Sequence, residues 1–164
     1  VADKKYEDAF NYANQALALT KEISDSWGIA LNLHNLGDIC LRIGKNEDAM
    51  GYFRQSLEIS IEIGWEIGNN LNKLNIIYLE TRGKPFVEDG IRQIKEIMEQ
   101  LEKSGSIDYL PYGNMYIGII YFEKKNMEKA KVHFAGANKI AEKIKLHEIV
   151  EKTKEYISKI DGIK

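Results

Sequence analysis

Histidine and cysteine are the residue types in this chain that could bind a metal ion or support nucleophilic chemistry. The three histidines, His34, His133 and His147, share no metal-ligand spacing. The single cysteine, Cys40, excludes an intrachain disulfide framework and a cysteine-based zinc site. The chain contains no phosphate-binding glycine loop, no dinucleotide-binding glycine motif and no H-E-x-x-H motif. We therefore predict that the protein is not an enzyme and uses no metal and no other cofactor.

Two groups of charged residues have helical spacing. His34 and Asp38 are four residues apart, which favours a surface ion pair over an acid–base couple because no nucleophile lies nearby in the sequence. Glu58, Glu62 and Glu66 recur every four residues. This acidic row indicates a solvated helix face or, as the alternative, a site for a metal or a basic partner.

Composition and length restrict the fold and the partners. The 164 residues include 44% hydrophobic residues, enough for a core, and only 13 glycines and 2 prolines, too few for an all-β protein. The formal net charge is -2, and acidic residues dilute the lysines of the last quarter, so we expect no nucleic-acid partner. No apolar run is long enough to cross a membrane. We predict a cytoplasmic, mostly helical protein without membrane contact.

Similar segments repeat along the chain with a period near 40 residues. Small residues mark them at spacings of 40, 41 and 40: Ala9, Ala49, Gly90 and Ala130. Small or apolar residues follow four and seven positions later: Ala13, Phe53, Ile94 and Phe134, then Ala16, Ser56, Ile97 and Ala137. Offsets of 0, 4 and 7 share one helix face, so each segment predicts an amphipathic helix.

A second kind of helix alternates with the first. The segment that starts at Ser26 aligns without gaps to the one that starts at Gly64, and the alignment pairs Trp27 with Trp65. A third copy starts at Pro111, a residue that suits the first turn of a helix. The chain therefore alternates between two helix types, which predicts a series of helix hairpins.

Local signals predict where these helices begin and end. Glycines stand at the expected helix ends: Gly44, Gly64, Gly83 and Gly105. Asn46, which two acidic residues follow, is predicted to cap the next helix. Cys40 falls at a core position of its hairpin, which favours inert packing over a reactive thiol. The chain from His147 to Ile160 is predicted to form a terminal helix with one apolar face.

The order of small and large residues resembles a known repeat. One copy reads Leu36, Gly37, Cys40, Gly44, Ala49, Phe53 and Ser56, and another reads Ile117, Gly118, Tyr121, Ala130, Phe134 and Ala137. This order resembles the tetratricopeptide signature, in the long-helix variant of kinesin light chain, the Leu-Gly-Asn spindle-orientation proteins and many prokaryotic regulators. The resemblance implies an all-α, right-handed superhelical solenoid of antiparallel helix hairpins.

The repeats imply one domain over residues 1–164. We expect a half repeat over 1–24, repeats over 25–64, 65–105 (degenerate) and 106–145, and a capping helix over 146–164. Because the chain starts with Val1 and its first helix lacks a partner helix, we expect a fragment of a longer protein. The unpaired helix would expose Phe10 and Leu17, which predicts a tendency to self-associate through the half repeat.

In the tetratricopeptide family the first helix of each hairpin lines a concave groove that binds peptides. By register, the implied groove residues are His34, Asn35, Asp38 and Arg42, then Asn69, Asn72, Lys73 and Ile76, then Tyr112, Met115, Tyr116 and Ile119. Asparagine amides can bond a peptide backbone, and the two tyrosines would form an aromatic anchor. The alternatives are asparagines that a wet surface merely tolerates and tyrosines that pack against the terminal hairpin.

The chain departs from two binding patterns of that family. The carboxylate clamp of chaperone-binding members needs Lys and Asn in place of His34 and Asp38, and Lys and Arg in place of Tyr112 and Tyr116. We therefore expect no binding of chaperone tails. The asparagine ladder of the spindle and kinesin members is only partial, since Asn35 matches it and most later positions do not.

These observations predict a non-enzymatic scaffold that binds a protein or peptide in its concave groove, within a larger cytosolic protein. The alternative is a ligand- or peptide-sensing regulatory domain of a larger prokaryotic signalling or transcription regulator. A ligand that changes the compactness of the longer protein would favour the sensor. A third alternative is a purely architectural segment that binds nothing.

Overall fold

Helices form almost the entire chain in the computed structural model, which describes the backbone of residues 2–162 and the side chains of residues 4–162. Val1 and residues 163–164, which belong to the predicted half repeat and capping helix, lie outside the described residues. The α-helices of the described part are α1 Ala2–Glu22, α2 Ser26–Arg42, α3 Asn46–Glu62, α4 Glu66–Thr81, α5 Glu88–Lys103, α6 Leu110–Glu123, α7 Met127–Lys143 and α8 His147–Asp161. A short 3-10 helix, Ile107–Tyr109, precedes α6, and no strand occurs in this part.

The helices group into two compact units, Val1–Leu79 and Glu80–Lys164. Unit 1 contains α1, α2, α3 and most of α4, and unit 2 contains the end of α4 and helices α5 to α8. Within each unit consecutive helices pack against one another. The predicted all-α class, with helices that alternate as hairpins, is confirmed. Among the residues described, no helix has the length and apolar character needed to span a bilayer.

The predicted glycine turns end their helices in the left-handed conformation. The φ angles are 79°, 69°, 76° and 76° at Gly44, Gly64, Gly83 and Gly105. Glycine adopts positive φ without the steric penalty of a side chain. Pro111 lies in the first turn of α6, as its missing N–H allows.

The start of α3 differs from the prediction. Its N-cap is Lys45, whose carbonyl accepts the first helical bond from the Ala49 N–H at 3.0 Å. Asn46 is therefore the first residue inside the helix, and the prediction that it caps α3 is wrong. Glu47 and Asp48 do occupy the first turn, where their charges favour the helix dipole.

The core of unit 1 consists of two clusters. The first contains Leu17, Leu33 and Leu36, and the second contains Cys40, Ala49, Phe53 and Ile76. The prediction that Leu17 is exposed is wrong, because Leu17 packs against α2 in the first cluster. Phe10 is half-buried, with its ring 6.4 Å from the ring of Tyr52. The large apolar side chains that α1 exposes are Tyr12 and Leu19, and Ile23 directly after the helix is also exposed.

Unit 2 builds a similar core around Phe134 of α7. Its ring is fully buried and stacks on Tyr156 of α8, with ring centroids 4.7 Å apart and an interplanar angle of 15°. Thr153 of α8 is also buried and donates to the carbonyl of Ile149 at 2.8 Å. α8 thus packs on α7 through the contact between Tyr156 and Phe134. The buried hydroxyl of Thr153 in α8 is satisfied within its own helix.

Candidate functional site

The predicted groove residues of α2 lie on a helix whose start is fixed by a side-chain cap. The Asp25 carboxylate accepts the Gly28 N–H at 3.0 Å, which satisfies a donor that the helix itself cannot. Further along α2, Arg42 Nε donates to Asp38 Oδ2 at 2.8 Å. These two side chains are partly exposed, so the pair stabilises the helix by at most about 1 kcal/mol. A polar ligand can therefore compete for either member.

A buried chain of hydrogen bonds joins α2, α3 and α4. The Ser56 hydroxyl donates to the carbonyl of Ala30 at 2.7 Å, and Asn72 Nδ2 donates to the same hydroxyl oxygen at 2.8 Å. Asn72 Oδ1 lies 2.9 Å from His34 Nδ1. Ser56 and Asn72 are completely buried, so these bonds satisfy polar groups that water cannot reach. We call this network the α2–α4 relay.

The relay determines which atom of each side chain donates. Because Ser56 gives its hydrogen to a carbonyl, it can only accept from Asn72, whose NH₂ group must face it. The Asn72 oxygen then faces His34, so Nδ1 of the imidazole must carry a hydrogen. Ser56 is consequently not activated by the histidine, and the relay holds helices together rather than forming a nucleophile–base pair.

The predicted pairing of His34 with Asp38 is wrong. His34 turns toward α4 and Asp38 pairs with Arg42 on the same helix. The ring of His34 also packs 5.5 Å from the ring of Phe53, at an angle of 56°. His34 bonds to Asn72 rather than to Asp38 because this bond also satisfies the buried amide oxygen of Asn72.

The predicted residues of α4 divide into buried and accessible side chains. Asn72 belongs to the relay, and Ile76 lies in the core cluster with Phe53. A ligand could reach neither without displacing the core. Lys73 is exposed, as is Asn35 on α2, and Asn69 is half-buried. The accessible part of the predicted site in unit 1 is therefore smaller than the register suggested.

Asn69 contains an unsatisfied polar atom. Its Oδ1 is buried and accepts no hydrogen bond from any described residue. The hydroxyl oxygen of Ser60 on α3 is the other such atom in the described part of the chain. A buried acceptor without a donor costs about 1–3 kcal/mol, so a donor that reached Asn69 would recover part of that energy.

The predicted residues of unit 2 lie on α6, a helix that is buried along most of its length. Tyr112 is half-buried. Met115, Tyr116 and Ile119 are 4%, 4% and 3% exposed. Tyr112 and Tyr116 therefore do not form an exposed aromatic pair, and Tyr112 alone presents its ring to solvent.

A second histidine connects α6 to α7. His133 Nδ1 lies 3.2 Å from Asn114 Oδ1, and its ring stacks on Tyr121 with centroids 5.8 Å apart. Burial, and secondarily the positive charge of Lys95, lower the pKa of His133. The lowered pKa favours the neutral imidazole, which suits a packed position between helices.

The described residues offer no metal centre. No three His, Cys, Asp or Glu side chains among them come together as a metal ion would require. Cys40 is buried, and burial together with the charge of Asp48 raises the pKa of its thiol. The thiolate needed for nucleophilic chemistry or metal binding is therefore disfavoured.

A separate pocket lies in unit 1. It has a volume of about 310 Å³ and is lined by Tyr6, Glu7, Phe10, Ile43 and Lys45. The pocket joins the first turns of α1 to the turn between α2 and α3. None of the predicted groove residues lines it.

Sequence reasoning missed the hydrogen bonds of Ser56 that join three helices. The repeat places Ala16, Ile97 and Ala137 at the equivalent positions, so Ser56 is the polar residue among apolar ones. The buried hydroxyl of Ser56 in α3 and the buried amide of Asn72 in α4 satisfy each other by a hydrogen bond. The signal that could have revealed the relay is a polar residue at a predicted core position in each of two neighbouring helices.

The comparison with known families identifies the first part of the chain. A family model described as tetratricopeptide repeat matches residues 1–62, which contain α1, α2 and α3. No curated protein matches the chain significantly.

Proposed function

We propose that the chain is a non-enzymatic module of the tetratricopeptide repeat family, whose model matches residues 1–62, and that it binds an extended peptide along the polar faces of α2 and α4. The family supports a role in protein–protein interaction. We propose in addition that the ligand is a peptide, and we propose where it binds and which residues contact it.

The accessible polar residues of unit 1 supply the contacts. Asn35 and Lys73 are exposed, and Asp38 and Arg42 form a partly exposed pair. An amide can both donate to and accept from a peptide backbone, whatever side chains the peptide carries. Lys73 and Arg42 add positive charge for an acidic side chain or a terminal carboxylate.

The buried acceptor of Asn69 carries the proposal. Asn69 is half-buried on α4, one turn from Lys73, and its Oδ1 has no donor among the described residues. A peptide N–H can supply that donor after a small rotation of the side chain. Such a bond is worth more than a bond to an exposed amide, because it removes an existing desolvation cost.

The buried members of the predicted set have a supporting role in this proposal. Asn72 and its relay fix α4 against α2 and α3, which positions Asn69 and Lys73. In unit 2, Tyr112 remains as a partly accessible ring, and the buried Met115 belongs to the packing of α6.

A peptide-display selection against the folded protein tests the proposal. We would compare the wild type with Asn35→Ala/Asn69→Ala/Lys73→Ala. The matched control, Asn11→Ala/Gln15→Ala/Lys139→Ala, removes similar side chains from exposed positions elsewhere. We expect a consensus that is enriched on the wild type and the control and lost on the first variant.

Two results of this selection would contradict the proposal. If the same peptides remain enriched on the folded first variant, the peptide does not bind at these residues. If nothing is enriched on the wild type, the proposed peptide-binding function is wrong. Circular dichroism and urea unfolding of each variant establish that it is folded before selection.

We also propose self-association through α1. This helix exposes Tyr12 and Leu19 at 71% and 62%, respectively, and both are large apolar side chains. Sedimentation velocity over a range of concentrations tests this. We expect association that Tyr12→Ser/Leu19→Ser abolishes, and a strictly monomeric wild type at high concentration would contradict it.

A further inference from the structure

Two tryptophans contact each other on the edge of unit 1 where the α1–α2 and α3–α4 turns lie. The rings of Trp27 and Trp65 have centroids 5.7 Å apart and an interplanar angle of 49°. Trp27 remains 52% exposed. The ring of Trp65 lies over Gly68, where a β-carbon would clash with it. Trp65 therefore packs against α4, while the indole of Trp27 is partly exposed to solvent.

Four exposed isoleucines lie within four residues of one or the other tryptophan along the chain. They come from the α1–α2 turn, the last turn of α3, the α3–α4 turn and the first turn of α4: Ile23, Ile61, Ile63 and Ile67. Single exposed apolar residues are ordinary, but several of them beside an exposed indole at the turns of two successive hairpins mark a surface that binds another molecule. We call Trp27, Trp65 and these four isoleucines the indole edge.

The charges along the indole edge have one predominant sign. Residues 21–28 and 58–68 contain five carboxylates, Glu22, Asp25, Glu58, Glu62 and Glu66, and one basic residue, Lys21. Glu58, Glu62 and Glu66 are exposed and form no ion pair with the described residues. The acidic row noted in the sequence therefore borders an apolar surface.

Two of these carboxylates lie near the carboxyl end of α3, where a negative charge is unfavourable. Glu58 and Glu62 lie in the last two turns of α3, whose last turn contains no basic residue. The carboxyl end of a helix carries partial negative charge, so acidic side chains there are destabilising by a few tenths of a kcal/mol each. A cation placed at this end would relieve that repulsion.

We propose that the indole edge is a binding surface for a basic, amphipathic peptide segment of a partner protein. An arginine or lysine of the peptide lies over the exposed face of Trp27, where the ring quadrupole attracts a cation. Its neighbouring cations pair with Glu62 and Glu66, and its apolar residues cover the isoleucines. This surface is separate from the polar faces of α2 and α4 in the proposed function.

Tryptophan emission reports directly on this surface. The chain contains 2 tryptophans, and both belong to the indole edge. We would titrate the protein with a short peptide amide of alternating Arg and Leu, and with Gln–Leu and Glu–Leu peptides of the same length. We expect a saturable change of emission with the Arg–Leu peptide, about tenfold weaker binding of the Gln–Leu peptide and none of the Glu–Leu peptide.

Variants separate the contributions of the ring and the charges. Trp27→Ala keeps Trp65 as the reporter, and Glu62→Gln/Glu66→Gln removes charge without changing shape. We expect each to weaken binding of the Arg–Leu peptide about tenfold. The matched controls, Phe86→Ala and Glu99→Gln/Glu102→Gln, alter an exposed aromatic and exposed acids elsewhere and should leave the affinity unchanged.

Three results would overturn the proposal. The first is equal affinity for the Arg–Leu and Gln–Leu peptides, or no binding of either. The second is loss of binding in Asn35→Ala/Lys73→Ala but not in Trp27→Ala, which would assign the peptide to the polar faces of α2 and α4. The third is self-association of the protein alone that Trp27→Ala abolishes, which would identify a second copy as the occupant.

Discussion

The ring of Phe53 lies directly against the α-carbon of Gly37. A β-carbon built on Gly37 would come within 2.7 Å of Phe53 Cε1 and 2.8 Å of Cδ1. Unit 2 repeats the arrangement, since a β-carbon on Gly118 would come within 2.7 Å of two ring carbons of Phe134. Both rings are completely buried. The close approach of the two helices in each hairpin therefore requires a residue without a side chain under a buried phenyl ring.

Replacing Gly37 with alanine tests this contact. The new methyl group must displace a ring that is packed on all sides, so we expect Gly37→Ala to lower the free energy of unfolding by about 1–3 kcal/mol. Helix propensity acts in the opposite direction, because alanine favours a helix more than glycine does. Urea unfolding followed by circular dichroism measures the balance.

Gly51 supplies the matched control. It lies inside α3, and a β-carbon there would meet nothing within 4 Å. Gly51→Ala should therefore raise the free energy of unfolding by about 0.5–1 kcal/mol. If both variants change stability in the same direction, the proposed role of the Gly37–Phe53 contact is incorrect.

The two residues of this contact, Gly37 and Phe53, belong to the repeat signature that the sequence showed. Small and large residues recur every 40 residues or so, and a face pattern at offsets of 0, 4 and 7 is visible without coordinates. The all-α class and the glycine helix ends follow from the same local patterns. The cap of α3 was misplaced by one residue, from Lys45 to Asn46, which reflects how finely a helix start depends on backbone conformation.

The candidate site was less predictable because it depends on partners far apart in sequence. His34 and Asn72 are 38 residues apart, and only the structure shows that the amide turns inward to the imidazole and to Ser56. On α6, apolar residues surround the whole helix, so periodicity cannot tell an accessible face from a buried one. That is why Tyr116 could be assigned to a groove by register although the structure buries it.

The relay predicts that Asn72 contributes more to stability than its neighbours on the polar faces. Asn72→Ala removes the donor to the Ser56 hydroxyl oxygen and the acceptor of the His34 Nδ1 hydrogen, while the bond from Ser56 to the Ala30 carbonyl remains. We expect a loss of about 1–3 kcal/mol in the free energy of unfolding. Asn35→Ala, at an exposed position, should change it by no more than about 0.5 kcal/mol. Equal effects in urea unfolding would show that the relay does not stabilise the fold.

The thiol of Cys40 should be unreactive in the folded protein. The side chain is buried, and its pKa is raised by burial and by the nearby Asp48 carboxylate. Both effects reduce the thiolate that attacks a disulfide reagent. We expect reaction with an aromatic disulfide reagent to be much slower in buffer than in unfolding concentrations of urea. Rapid reaction of the folded protein at neutral pH would contradict this assignment of Cys40 to the core.

His133 predicts how stability changes with mild acid. Its pKa is lowered in the folded protein, first by burial and then by Lys95, whereas an unfolded chain returns it to about 6.5. Above pH 6.5 the imidazole is neutral in both states and its contribution is constant. Below that pH the unfolded state binds a proton first, so the free energy of unfolding falls until the pH reaches the folded pKa.

Urea unfolding at pH 7.5 and pH 5.5 measures this effect in the wild type and in His133→Gln. We expect a smaller decrease for the variant, because glutamine retains a polar group but does not titrate. An NMR titration of the imidazole protons should place the midpoint of folded His133 below 6.5. Lys95→Gln should raise that midpoint while leaving the burial unchanged. A midpoint at or above 6.5 in the folded wild type would show that His133 is hydrated and not held between α6 and α7.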